Sequence, residues 1–345
     1  MKGALALLSL TACLGCSPEL ELPSEIKGLR VLAVQKSLPY AKPGETVTLR
    51  MLWHDGKRRG TRPSILWLPG CVNPAGDLYY GCFPQLADLF SKLGSGEPPP
   101  PGFEPGVDTD TFDFTLPTTI LDRPRPLDPT QPPYGIAFIF FMTCMGDFAP
   151  AETSGQLVFP IACKSKTTGE TLGSNDFVAG FSAIYAYDNF QNANPQITGF
   201  RFKDGDVPTN RLCIGAACVN NESPPTDLVC GQDPCVNACA DDGDESCPGT
   251  AIQPIVPESS SEVDQISLQT RGRNYREQMW INYYVDRGGV KSEARLFSDA
   301  LKGPISDYGT LFRAPKEPGP VNVFAVVHDN RGGVEWARTT ILVVP

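Results

Sequence analysis

Proline limits what this chain can fold into more than any other residue type. Of its 345 residues 34 are Pro and 33 are Gly, which makes 67 of 345 against the roughly 12% that average usage would give. A proline lacks the backbone N–H and clashes with the preceding helical turn. At this density, regular structure is confined to short elements between turns, and a helix bundle is excluded. Hydrophobic residues nevertheless make up 41% of the chain, which sets it apart from a disordered sequence. The expected class is an all-β protein rich in loops.

Period-two alternation locates the strands. Leu29-Arg-Val-Leu-Ala-Val-Gln alternates, Pro43-Gly-Glu makes a turn, and Thr46 to Trp53 places Val47, Leu49 and Met51 on one face. Further runs lie at 64–68, 111–116, 134–143 and 156–161, a spacing that predicts a β-sandwich. A second series starts at 194–202 and continues at 263–269, 279–286, 294–297, 321–328 and 334–344. Its last pair flanks Asp329-Asn-Arg-Gly-Gly333, a hairpin signal. Single cores rarely extend past about 250 residues, so two sandwiches are expected: 26–165, and 194–345 with a Cys-rich insert at 212–249. Residues 166–193 form a bridge, whose segment 177–188 either closes the first sandwich or joins the two. One helix is predicted over 85–93 from Leu86, Leu89, Phe90 and Leu93, with Gly94 as its stop. The Pro-rich stretches 97–106 and 123–133 are expected to be surface loops.

The first sixteen residues resemble the leader of a bacterial lipoprotein: Lys2, a short apolar run, and Leu10-Thr11-Ala12-Cys13 in the form of a lipobox. The apolar run from 3 to 14 is shorter than the ~20 residues that a spanning helix needs. The resemblance implies cleavage before Cys13, a diacylglycerol on its thiol, and an exported chain held at a bacterial membrane, expected to be the outer membrane, facing periplasm or cell surface. Cys16 is the alternative lipidated residue, and thiol parity favours it. Residues 17–25 would be an acidic tether. The last two strands, residues 321–344, resemble those of bacterial immunoglobulin-like and PKD-like domains. That resemblance covers roughly the last 90 residues, extends loosely to 29–53, and implies a core Trp at position 280.

Beyond the leader stand ten cysteines: Cys71, Cys82, Cys144, Cys163, Cys213, Cys218, Cys230, Cys235, Cys239 and Cys247. An even set in an exported chain predicts disulfides. The six in the insert lack the Cys-x2-Cys spacing of zinc ribbons and are read as three bridges holding a segment with no core of its own. In the first sandwich Cys163 is expected to pair with Cys71 or Cys82 rather than with Cys144, a local Cys71–Cys82 bridge being the competitor. Asp241, Asp242, Asp244 and Glu245 are the candidate calcium ligands, with a solvated acidic loop as the simpler reading.

Little in the sequence points to catalysis. The two histidines, His54 and His328, lie near no nucleophile motif and are read as turn residues. Lys57-Arg58-Arg59 reads as a solvated hairpin tip, and net charge −10 gives nucleic acid no basic face. The expected function is a non-enzymatic interaction or scaffold module of the cell envelope, without cofactor beyond the covalent lipid, its partners membrane lipid and an envelope protein or glycan. A carbohydrate- or polymer-binding module is the alternative, for which Tyr185, Tyr187, Tyr275, Tyr283 and Tyr284 are the residues to inspect. A hydrolase is the remote one.

Overall fold

A computed structural model describes residues 22–84, 86, 98, 104–122, 131–151, 161–241 and 246–345. The leader with Cys13 and Cys16, most of the helix predicted over 85–93, most of both Pro-rich stretches and residues 156–160 lie outside these. The chain is mostly β. The first ten strands are β1 (Leu29–Lys36), β2 (Tyr40–Ala41), β3 (Thr46–Asp55), β4 (Ser64–Val72), β5 (Gly106–Val107), β6 (Thr111–Thr115), β7 (Gly135–Cys144), β8 (Asp147–Pro150), β9 (Ile161–Lys164) and β10 (Phe177–Ala186). They form a three-stranded sheet in the order β1-β3-β6, a five-stranded sheet in the order β2-β10-β7-β4-β5, and a separate β8-β9 hairpin. The two larger sheets pack face to face: Val47, Leu49 and Met51 of β3 meet Ile65, Trp67, Ile139, Phe141 and Ile184 from the other sheet. β10 pairs with β7 along its whole length, so residues 177–186 belong to this sandwich.

The second series is β11 (Gly199–Phe202), β12 (Gly205–Asp206), β13 (Leu212–Ile214), β14 (Cys235–Asn237), β15 (Thr250–Ile255), β16 (Met279–Val285), β17 (Gly289–Val290), β18 (Ala294–Asp299), β19 (Gly303–Pro304), β20 (Thr310–Arg313), β21 (Gly319–Asp329) and β22 (Val334–Val344). One sheet runs β12-β11-β15-β20-β17; the other runs β13-β22-β21-β16-β18-β19, with β14 also on β22. Phe200, Ile252 and Phe312 of the first face Ile281, Tyr283, Val323 and Ile341 of the second. The β21–β22 turn sits where the sequence places it. The Asp329 carboxylate accepts from Arg331 N at 2.7 Å and Gly333 N at 2.8 Å, and Gly332 takes φ 86°.

Two expectations for this half are corrected. Residues 263–269, read as a strand, contain α1 (Gln265–Arg271) instead. Local capping decides it: Asp264 accepts from Ser267 N at 2.7 Å, and Gly272 closes the helix at φ 62°. Trp280 is not the core tryptophan. The inward positions of β16 are Met279, Ile281, Tyr283 and Val285, and alternation turns Trp280 outward, stacked on His328 at 5.2 Å. The tryptophan at the centre of a sandwich core is Trp67, fully buried beside Phe112 and Phe141.

All ten cysteines pair, as Cys71–Cys82, Cys144–Cys163, Cys213–Cys218, Cys230–Cys235 and Cys239–Cys247. Bridges of this number mark a chain that folds in an oxidising compartment. The expected link from Cys163 to Cys71 or Cys82 is wrong, because Cys163 lies in the separate β8-β9 hairpin, which turns back to the end of β7 and so to Cys144. The three insert bridges are local, and β13 and β14 stitch the insert onto β22. Loop-closure entropy ranks them. Cys144→Ala with Cys163→Ala, opening a separation of 19, is expected to cost about 3 kcal/mol, and Cys213→Ala with Cys218→Ala, opening 5, about 2 kcal/mol. Urea midpoints of the two double variants check this order; the reverse ranking would refute it.

Candidate functional site

The two sandwiches share a junction that begins with a bulge. β1 shifts register against β3 between Val31 and Ala33, which breaks the alternation and gives the strand two apolar faces. Leu29 stays in the first core. Leu32 and Ala33, with Ile26 and Leu52, pack on Phe324, Val326, Val334 and Trp336 of the second unit.

A buried polar cluster completes this interface. Asp286, with no exposed side-chain surface, lies 3.1 Å from His54 Nε2 and 2.9 Å from an Arg58 terminal nitrogen. It also accepts from the Asn322 backbone and side-chain nitrogens at 2.9 Å each. Burial alone would raise the Asp286 pKa, but the His54 hydrogen bond and the Arg58 charge overcome it and hold the carboxyl below its ordinary value. Arg59 forks onto Asp55 at 2.7 and 2.8 Å and pairs with Asp176. The run Lys57-Arg58-Arg59 is therefore an electrostatic clamp and not a solvated tip. His54 lies in β3 and His328 in β21, so neither is a turn residue; burial lowers the His328 pKa to about 4.

The junction also holds a crevice of about 300 Å³. Tyr40 comes from β2, Phe190 from the linker, Glu262 and Gln265 from the start of the α1 segment, Glu277 from the approach to β16, and Arg331 from the β21–β22 turn. Glu277 continues the inward series 277, 279, 281, 283, 285, and only 1% of its surface is exposed. Burial, then the nearby Asp329 charge, push its pKa up to about 8 against the pull of a backbone hydrogen bond and Arg331. Arg331 pairs with Asp264 and lies 3.3 Å from Glu277 Oε1. Asp329 also accepts from Asn192 Nδ2 at 3.0 Å. Burial raises Tyr40 to about 12 and lowers the neighbouring Lys36 to about 8, the latter against Asp329.

The raised Glu277 pKa fixes a sign. The folded state holds this proton more tightly than the unfolded state, so the stabilisation is full below about 4.5 and is lost as pH rises through about 8. Gln at 277 has no proton to lose. Glu277→Gln is expected to flatten the fall of the urea midpoint between pH 5 and 9; a slope identical to that of the native chain would refute it.

Other sequence-derived candidates fall elsewhere. Asp241 is salt-bridged to Lys316 at 3.0 Å, and Asp242, Asp244 and Glu245 lie outside the described residues. Among the described residues no group of three or more potential ligands stands ready for a metal ion. Of the five tyrosines singled out for a carbohydrate platform, Tyr283 is fully buried and bonded to Tyr308 O at 2.7 Å, Tyr187 is buried, and Tyr185, Tyr275 and Tyr284 are half-buried. Among the described residues the exposed aromatics are Tyr79, Tyr80 and Phe181 on the outer face of the β10-bearing sheet, with Tyr79 stacked on Phe181 at 4.6 Å. Sequence reasoning missed Tyr40, Glu277 and Arg331. The one legible signal was a carboxylate in register with the inward face of β16.

No protein-family model matches the chain, and neither does any curated protein. Among solved structures, the dimeric latent PorU of Porphyromonas gingivalis shares 11% identity over 93% of this chain, at a TM-score of 0.21. Activated Escherichia coli alpha-2-macroglobulin shares 9% over 94%, at 0.20, and the three N-terminal domains of the bacteriophage RB49 capsid protein Hoc share 8% over 92%, at 0.18. The chain spans 24% of the PorU chain, 22% of the macroglobulin chain and all of the Hoc chain. At these TM-scores none of the likenesses carries an argument about function.

Proposed function

We propose that this chain is a lipid-anchored, non-enzymatic interaction module of the bacterial envelope, built of two immunoglobulin-like sandwiches that act as one body. The observation that supports it most directly is the junction. Eight apolar residues and the buried His54–Asp286–Arg58 cluster join the units, whereas domains that work independently share smaller and more polar interfaces. One of the two histidines is committed to that cluster, and the other is stacked on Trp280. The leader, with Cys13 or Cys16 as the acylated residue, supports attachment to a membrane, which needs two acyl chains or an equivalent second signal. Intact-mass analysis of the chain purified from membranes tests the anchor: a diacylglyceryl cysteine at the new N-terminus is the expected result, and an unmodified N-terminus would overturn it.

The exposed Tyr79, Tyr80 and Phe181 favour a second reading, attachment to a polymer surface, since exposed aromatic groups of this size commonly mark binding sites. Deleting residues 213–247 would be a poor test, because it removes strand β14 and part of β13 from the β22 sheet. A pull-down from envelope extract and from isolated cell-wall glycan is better made with Tyr79→Ala and Phe181→Ala. A protein partner kept by both variants supports the scaffold reading, and glycan capture lost in both supports the second. No capture above background overturns both.

A further inference from the structure

The crevice at the junction combines an aromatic wall with polar groups whose charges discriminate between classes of ligand. The wall is Tyr40 and Phe190, held by Tyr187, whose ring centroid lies 4.8 Å from that of Tyr40 and 5.6 Å from that of Phe190. The polar lining includes Glu262, Gln265, Glu277 and Arg331. An anion entering here meets Glu262, while the Arg331 guanidinium is paired with Asp264 and keeps its Nε, 3.3 Å from Glu277 Oε1, without a hydrogen-bond partner. A cation is drawn to Glu262 but meets the Arg331 guanidinium beside it, and finds in Glu277 a carboxyl that burial and Asp329 keep protonated at neutral pH.

A neutral polyhydroxylated ring meets neither obstacle. Its hydroxyls both donate and accept, matching a carboxyl O–H and amide N–H donors as well as carboxylate and amide acceptors. Its C–H face is apolar enough to lie against an aromatic ring, in the usual arrangement of an apolar wall with a few convergent polar groups. The volume, about 300 Å³, is at the small end for ligand pockets and suits one ring rather than a polymer segment.

We propose that this crevice binds a single neutral sugar residue, stacked on Tyr40 and Phe190 with its hydroxyls read by Glu262, Gln265, Glu277 and Arg331. The proposal deepens the interaction-module reading but rests on the crevice alone, and it holds for an anchored or an unanchored chain. Glu277 serves as a hydrogen-bond donor while protonated. The groups that face it and set its titration are Asp329 and Arg331 on the β21–β22 turn and Glu262 before α1, with Asp264 acting through Arg331.

Saturation-transfer NMR on the full oxidised chain tests this with methyl hexopyranosides and N-acetylglucosamine as probes, beside putrescine and inorganic phosphate. Signal from at least one sugar and none from the two ions is expected. Gln265→Trp, at an exposed position lining the crevice, should weaken the sugar at least tenfold while the urea midpoint and circular dichroism stay native. Native affinity should fall as pH rises through about 8, and Glu277→Gln should remove that fall. Silence from every sugar, a signal confined to putrescine or phosphate, or binding indifferent to Gln265→Trp in a folded variant overturns the proposal. The outer aromatic face is read by Tyr79→Ala and Phe181→Ala, so failure of the crevice and failure of the polymer reading are told apart.

Discussion

Asp286→Ala is expected to destabilise the chain by about 3–5 kcal/mol, the cost of removing one partner from a buried ion pair. The carboxylate stands between two domains, so its loss acts on both. His54 Nε2 and an Arg58 terminal nitrogen lose their acceptor at 3.1 and 2.9 Å. The Asn322 backbone N–H, buried on β21, loses its acceptor as well. His54 itself packs tilted against Phe324 at 5.1 Å, so its reorientation would disturb the apolar junction too. The check is urea denaturation followed by tryptophan fluorescence, with the native single transition becoming earlier. A shift below about 1 kcal/mol, the scale of an exposed pair, would show that the cluster is solvent-screened and the junction loose. Acid gives a second readout. The folded pKa of Asp286 is depressed below its ordinary 3.8, so its stabilisation is present above that value and disappears as pH falls through the lowered one. Asp286→Asn, which cannot ionise, should show a flatter decline below pH 4 than the native chain.

Trp67→Ala is expected to cost about 3–5 kcal/mol, the usual range for deleting a large aromatic from a packed core. The side chain has no exposed surface, stacks at 5.8 Å on Phe112, and donates its indole N–H to Thr109 O at 2.9 Å. The variant therefore loses apolar burial and leaves a carbonyl without its partner. Trp280→Ala is the control. That ring lies on the outer face of β16, stacked on His328, and about 1 kcal/mol is expected for a partly exposed site. If Trp280→Ala proved the costlier of the two in urea, the assignment of the core tryptophan would be wrong.

Much of the fold was legible in the sequence. Period-two alternation located the strands in residues 46–53, 279–286 and 334–344 and, for 46–53, the correct inward face, because a half-buried strand must alternate. Asp329 to Gly333 gave the turn, because Asp and Gly meet its backbone demands locally. Three features were not legible. The segment 263–269 carries apolar residues that suit a strand or a helix, and the Asp264 cap decides between them. Cys163 was placed by strand order alone, and the hairpin that returns it to Cys144 is a matter of topology. Leu32 and Ala33 look like ordinary strand residues until the bulge in β1 turns them to a second domain.

The sequence by itself determined the mostly β class, the oxidising compartment through its cysteines, and the inward residues of the strand over 46–53, since these follow from local backbone limits and period. Only the tertiary structure decided which charges are buried and against what. Asp286, Glu277, Arg58 and Arg331 are ordinary charged residues in the sequence. Their place at the junction comes from partners up to 262 residues away in the chain, and no local pattern encodes a contact of that range.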